Sequence, residues 1–299
     1  MAGPEPLRAT EVSGIVVAYL PGYRVDSIVP AGEGQDHRAY EVNGELIVRF
    51  SRHPDPVRLR NEARLLRAVA RVSPLPVPEP VFTVAEQGCL AYVKLPGSPV
   101  LQIPRHRRRA RDASIGAVLG GLLRALHAVP VDRLAGLVDT DDPPLAEWLR
   151  EATETYLTVA GQIPTVHHRS VVAFLDTPPP DAGYTPVFSH NDLGIEHVLV
   201  DPVSWAVTGI LDWSDAAIVD PAVDFGLIHR DLGPAATGAA LDGYRGTPDD
   251  VAALTERAVF YARCSVFEDL AYGIETRRDS YVDKSLAGLA WLFPAPQNA

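Results

Sequence analysis

Residues 189–213 read Ser-His-Asn-Asp-Leu-Gly-Ile-Glu-His-Val-Leu-Val-Asp-Pro-Val-Ser-Trp-Ala-Val-Thr-Gly-Ile-Leu-Asp-Trp and hold two carboxylates at the ends of polar loops, separated by an apolar hairpin. That layout suits phosphoryl transfer. Asp192 can accept a proton from an alcohol, while Asp212 can hold Mg²⁺ against nucleotide phosphates with His197 nearby. A lone His-x-Asp triplet is common at turns and caps, so the weight comes from context. His190-Asn191-Asp192 follows an apolar strand, and a second strand over 206–211 delivers Asp212 twenty residues after Asp192. Ser189 and His190 are neighbours that point to opposite sides of a strand, which argues against a serine-hydrolase triad.

Periodicity predicts the elements that must present these residues. Positions 14–20 close a short helix, and 25–29, 38–42 and 45–50 read as strands, with Asn43-Gly44 predicting a two-residue type I′ hairpin between the last two. Leu59, Ala63, Leu66 and Val69 recur at helical spacing over 57–71, and Pro74, Pro76, Pro78 and Pro80 stop that helix. Strands near 81–85 and 89–95 complete a small antiparallel sheet carrying one helix. Pro96-Gly97 then breaks the chain, predicting a boundary between lobes 1–96 and 97–299. Beyond it, helices are expected over 113–128, 145–160, 166–175, 221–231, 235–244, 248–263, 265–276 and 280–292. Only 186–189, 197–200 and 206–211 read as strands there.

The whole pattern resembles the aminoglycoside and macrolide phosphotransferases, antibiotic kinases in which His-x-Asp, four residues and Asn precede a strand ending in Asp. The resemblance also takes in the glycine-bearing loop 32–36, Val48-Arg49-Phe50, Glu62, Pro96-Gly97, Leu126-His127 and Asp220-Pro221-Ala222-Val223-Asp224-Phe225. It implies an α+β, protein-kinase-like two-lobe fold, with a nucleotide-binding lobe over 1–96 and a helical catalytic and substrate-binding lobe over 97–299. It implies that Asp192 orients and deprotonates a substrate hydroxyl, that His190 holds the loop, and that Asp212 is the principal Mg²⁺ ligand. Position 197 carries His instead of the usual Asn, similar to the macrolide-type members, and an imidazole nitrogen can also coordinate a divalent cation. Gly32 and Gly34 resemble a phosphate-covering loop. Arg49 stands where the family often has a phosphate-gripping lysine, with Glu62 as the partner that would hold it extended. Backbone groups at Val93 and Leu95 resemble the strand that hydrogen-bonds a purine edge. The implied donor is ATP or GTP with Mg²⁺.

Two further matches to kinase tripeptides are set aside. His229-Arg230-Asp231 is expected to end a helix, and Asp224-Phe225-Gly226 lies inside a helix started by Asp220-Pro221, where Asp224 is expected to brace the catalytic loop. For the acceptor, Glu268, Asp269, Tyr272 and Glu275 share helical spacing and predict a partly acidic, partly aromatic face, with Asp215 as a further candidate. In the family such surfaces bind cationic antibiotics, so the implied partner is a cationic small molecule.

Charge distribution agrees. Residues 1–100 carry 11 basic and 11 acidic side chains, whereas 101–299 carry 16 against 27. An acidic surface repels nucleic acid and attracts cations, so no nucleic-acid partner is expected. The N-terminal residues do not read as a leader and no apolar run is long enough to span a bilayer, so no membrane partner and a cytoplasmic location are expected. Cys89 and Cys264 fit neither a disulfide framework nor a metal cage. The leading expectation is a kinase acting on a hydroxyl of an aminoglycoside or macrolide. Alternatives are a metabolic kinase for a sugar, amino alcohol or secondary metabolite, a catalytically idle kinase-like binding module, and a metal-dependent hydrolase.

Overall fold

Alternating apolar residues build a five-stranded antiparallel sheet near the N-terminus. In this computed structural model, which describes residues 9–33, 37–134, 136–181, 183–244 and 248–295, the chain divides into two compact units, Met1–Pro96 and Gly97–Ala299. The first holds α1 (Ala9–Tyr19), β1 (Ile28–Glu33), β2 (His37–Val42), β3 (Leu46–Ser51), α2 (Pro56–Ala70), β4 (Pro80–Val84) and β5 (Cys89–Val93). Its strand order is β1-β2-β3-β5-β4. Val48 pairs with Tyr40 on one side and Ala91 on the other. Val42, Leu46, Val48, Phe50 and Phe82 form one buried cluster with Val12 and Val16 of α1. Asp55 starts α2 by accepting the N–H groups of Val57 and Arg58, and Pro56 occupies the first turn, where its missing N–H costs nothing.

Two expectations for this unit change. The strand expected over 25–29 begins at Ile28 and runs into the glycine-bearing segment. The β2–β3 turn does have positive φ at Asn43 and Gly44, and Glu45 N–H closes it on the Val42 carbonyl at 3.0 Å. However, Val42 pairs with Leu46, which makes Glu45 an extra residue in what was expected to be a two-residue hairpin. The neighbouring strand explains it: the Glu45 carbonyl accepts Lys94 N–H at 2.7 Å, past the end of β5.

The second unit contains β6 (Ser98–Pro99), α3 (Arg105–Arg108), α4 (Asp112–His127), α5 (Leu145–Val159), α6 (Thr165–Leu175), β7 (Val187–Ser189), β8 (Val198–Val200), β9 (Val207–Ile210), β10 (Ala217–Val219), α7 (Ala222–Leu232), α8 (Pro234–Leu241), α9 (Pro248–Thr276) and α10 (Asp279–Leu292). Every residue of α7 is buried, and α4, α8, α9 and α10 pack around it. Strands β6, β8 and β9 form one small antiparallel sheet, and β10 pairs with β7. Two of these strands, β6 and β10, were not expected, because two or three residues carry no readable period. The helices expected over 248–263 and 265–276 are one 29-residue helix. No Gly or Pro falls between 249 and 272, and buried Cys264 carries the helix through the expected break.

Helices α4 and α8 approach closely enough to require glycine. A Cβ added to Gly120 would collide with the backbone of Ala240, whereas one added to Gly121 meets nothing within 4 Å. Gly120→Ala is expected to lower stability by about 1–3 kcal/mol through overpacking, read as a fall in melting temperature. Gly121→Ala is expected to be neutral or to raise stability by roughly 0.5–1 kcal/mol.

Candidate active site

Strand β7 ends at Ser189, and the chain then turns around one buried carboxylate. Asp224, in the first turn of α7, accepts the N–H groups of His190 at 2.9 Å, Asn191 at 3.2 Å and Leu193 at 3.3 Å. Burial pushes its carboxyl up to about 7 against the lowering effect of those three donors. Asn191 sits in the left-handed region at φ 65, which asparagine tolerates better than most residues, and its Nδ2 donates to Asp141 at 3.0 Å.

His190 joins the two acidic segments. Its ring is fully buried and lies 4.6 Å from the Trp213 ring centroid. Nε2 donates to the Leu211 carbonyl at 2.9 Å, which fixes the tautomer and leaves Nδ1 to accept Asp192 N–H at 3.3 Å. Burial, followed by the charge of His197, lowers its pKa to about 4, so the ring is neutral. Leu211 N–H in turn donates to the His197 carbonyl at 2.8 Å. The residue before Asp212 is therefore hydrogen-bonded to both ends of the 190–197 loop. Asp212 itself has φ 56 and accepts the Ser214 hydroxyl through Oδ1 at 2.8 Å. Both candidate carboxylates thus follow or occupy a left-handed residue, a kind of conformation that persists where surrounding structure over-determines it.

His197 Nε2 lies 3.0 Å from Asp192 Oδ2. Burial disfavours the imidazolium, but the hydrogen bond and charge of Asp192 outweigh it and raise the His197 pKa to about 9. Burial would likewise raise Asp192, yet His197 holds its carboxyl below the usual range. His197 is committed to Asp192, so ligating a cation through Nε2 requires breaking this pair. Asp192, Glu196 and His197 can bring ligand atoms within 4.8 Å of one another, but Glu196 is bonded to Lys284 at 2.7 Å. Asp212 offers the hard carboxylate oxygen that Mg²⁺ favours.

In the first unit, Arg49 on β3 pairs through Nη2 with Glu62 of α2, and both side chains are largely buried. Gly32 lies in β1, Val93 is the exposed last residue of β5, and half-buried Leu95 follows it. Gly34 lies outside the described residues.

The expected acceptor face divides. Asp269 is a correction: it is buried, accepts the Ser285 hydroxyl at 2.5 Å and pairs with Lys284 at 3.0 Å, so it faces a charge cluster away from solvent. Tyr272 packs edge-on against Tyr281 at 4.9 Å. Glu275 is exposed near the end of α9, and Asp215 is exposed in the turn after Trp213. Glu268 borders a recess of about 280 Å³ between α5 and α9, together with Trp148, Glu151, Glu154 and Ser265. Its carboxyl is raised by burial, lowered by Arg230 and raised again by the charge of Asp192. Arg150 partly neutralises the recess by pairing with Glu151 at 3.1 Å and Glu154 at 2.9 Å. The α5 acids were not singled out from the sequence, although their i, i+3 spacing on a predicted helix was the available signal.

The sequence pattern of the phosphotransferase enzyme family matches residues 27–257. The chain belongs to that family. Viomycin phosphotransferase of Streptomyces vinaceus is 28% identical over 87% of this chain and 95% of its own length. YcbJ of Bacillus subtilis (strain 168), an uncharacterized protein, is 29% identical over 36% of this chain and 37% of its own length. Among solved structures, the GDP complex of an aminoglycoside 2'-phosphotransferase-IIIa superposes with a TM-score of 0.71 at 22% identity, covering 95% of this chain and 97% of that one. A macrolide 2'-phosphotransferase from Brachybacterium faecium gives 0.61 at 23% identity, covering 96% and 99%. The fold is accordingly the kinase-like α+β fold of those structures, and membership of the family makes this chain a phosphotransferase. No helix among the described residues is long and apolar enough to cross a membrane.

The Asp192–His197 pair makes a pH signature. Its contribution to stability is fully present between about 4 and about 6.5, the unfolded carboxylate and imidazole values. It falls at lower pH as Asp192 protonates, and it falls as pH rises through the His197 value of about 9. NMR titration of the imidazoles is expected to give a His197 midpoint well above the ordinary value. In Asp192→Asn, which removes the Asp192 charge and leaves only those of Glu196 and Asp212 to oppose burial, that midpoint is expected to fall.

Proposed function

We propose that the protein transfers the terminal phosphoryl group of ATP or GTP, presented with Mg²⁺, to a hydroxyl of an amine-bearing antibiotic. An aminoglycoside or a macrolide is the leading candidate, and the reaction confers resistance in the cytoplasm, where the donor nucleotides are made. The observation that carries this reading is the hydrogen-bonded bridge from His190 to Leu211, which links the Asp192 loop to the residue preceding Asp212. The family match and the likeness to viomycin phosphotransferase support it.

His197 occupies Oδ2 of Asp192, which leaves Oδ1 to receive the acceptor hydroxyl. A carboxylate held below its usual pKa is a weak base, and that suits a loose transition state in which orientation of the attacking oxygen matters more than early proton removal. His190 stays neutral and keeps the Asp192 and Asp212 segments in register. Asp212 would ligate Mg²⁺, which when bound neutralises charge on the phosphate oxygens. In the first unit, Glu62 holds the Arg49 guanidinium as a fixed charge for phosphate. Gly32 and Gly34 would let backbone approach phosphate oxygens, and the backbone at Val93 and Leu95 would serve the purine edge. The recess bordered by Trp148, Glu151, Glu154 and Glu268 offers an aromatic ring and acids to a cationic acceptor. Asp215 and Glu275 remain accessible to extend that acidic surface.

The test is mass spectrometry of mixed antibiotics and metabolites incubated with enzyme and ATP or GTP. The expected result is gain of one phosphoryl group on a cationic antibiotic. Asp192→Ala should lower kcat by about 10²–10⁴-fold with nucleotide affinity largely retained. Near-native turnover by that variant, or modification of neutral metabolites alone, contradicts the reading.

A further inference from the structure

Arg230 and Asp231 of the set-aside tripeptide meet the rare lysine at 284 in one buried charge cluster. The chain has 27 basic Lys and Arg residues but uses lysine only at positions 94 and 284. Lys284, on α10, is 7% exposed. Its ammonium donates to Glu196 at 2.7 Å and to Asp231 at 3.4 Å, and it pairs with Asp269 at 3.0 Å. Arg230 grips Asp231 through two bonds at 2.7 and 3.0 Å. Burial alone would discharge Lys284, but Asp231 and the other carboxylates keep it protonated. A compact ammonium can reach three carboxylates in different directions, whereas a guanidinium presents a planar fork.

The outer edge of this cluster is the Asp192 loop. Asp231 accepts Ile195 N–H at 3.1 Å. Leu101 N–H donates to the Ile195 carbonyl at 3.1 Å, and His197 N–H closes a turn on the Gly194 carbonyl at 3.0 Å. Glu196 folds back so far that a Cβ on Gly194 would strike its carboxylate. Three consecutive residues are therefore held separately: Ile195 by its backbone on Asp231, Glu196 by its side chain on Lys284, and His197 by its ring on Asp192.

We propose that Lys284 is a positioning residue: by tethering Glu196, it sets the turn from which His197 reaches Asp192. The C-terminal helix thereby governs the orientation of a carboxylate that it does not touch. An effect on turnover follows only if Asp192 orients the acceptor as proposed above, whereas the effect on the His197–Asp192 pair does not depend on that reading.

The experiment uses the full chain as wild type, Lys284→Met, Glu196→Ala and the double variant, with ¹⁵N-labelled histidine and at a temperature where melting curves place each in its folded baseline. Asp192→Asn supplies the His197 Nε2 signal of a broken pair. Both single variants are expected to shift that signal toward the Asp192→Asn position. They should lower kcat by about tenfold or more, since small misplacements of reacting groups carry large rate costs. Nucleotide KM should stay within about threefold, and the double variant should be no worse than the poorer single one, as expected when two residues act through one interaction. An unmoved His197 signal, or losses that multiply in the double variant, overturns the proposal. If Lys284→Met does not fold, Lys284→Gln decides instead, because it keeps every carboxylate of the cluster, whereas Glu196→Ala also removes a charge that itself raises the His197 pKa. A shifted signal with unchanged turnover upholds the positioning and instead removes Asp192 from the proposed catalytic role.

Discussion

Three loop N–H groups share the buried carboxylate of Asp224, and the geometry of the site follows from that demand. Buried backbone donors require acceptors, and a single carboxylate offers enough lone pairs for all three. Because Asp224 belongs to α7, which is buried throughout, the acceptor is fixed by the packing of four surrounding helices. The loop is thus shaped from below by the rigid part of its own unit. Its free upper side presents Asp192.

The second constraint is lateral. His190 serves as a spacer because its two nitrogens face different segments, one toward the Leu211 carbonyl and one toward Asp192 N–H. A protonated ring could not accept the second bond, so the burial that keeps His190 neutral is part of the arrangement. His197 shows the opposite outcome in a similarly crowded place. There an adjacent carboxylate overcomes burial and favours the charged ring. Two histidines seven residues apart therefore take different charge states, each dictated by its immediate partner.

The parts legible in the sequence are those where local pattern and tertiary role coincide. His190, Asp192 and Asp212 stand at the ends of short apolar strands, and Asp224 follows Asp220-Pro221 at a helix start. The fold class was readable through the family resemblance that these same residues carry. What periodicity could not resolve was which of the adjacent acids Glu268 and Asp269 is buried. That choice depends on Lys284 and Arg230, which arrive from α10 and α7. The extra residue Glu45 in the β2–β3 connection likewise answers to Lys94, a partner distant in sequence. Strand β10 exists through its pairing with β7 and leaves no local trace. His197 was read as a candidate metal ligand because its residue type permits ligation, but only coordinates reveal its commitment to Asp192.

The role we propose for Asp212 is to hold the cation beside a loop carrying both His190 and His197. Paramagnetic broadening tests it directly, with Mn²⁺ replacing Mg²⁺ in the nucleotide complex and the histidine ring signals observed by NMR. Strong broadening of the His190 and His197 resonances is expected in the wild-type protein, with its loss in Asp212→Asn at the same concentrations. Broadening that persists in Asp212→Asn, or that spares both rings in the wild-type complex, would contradict it.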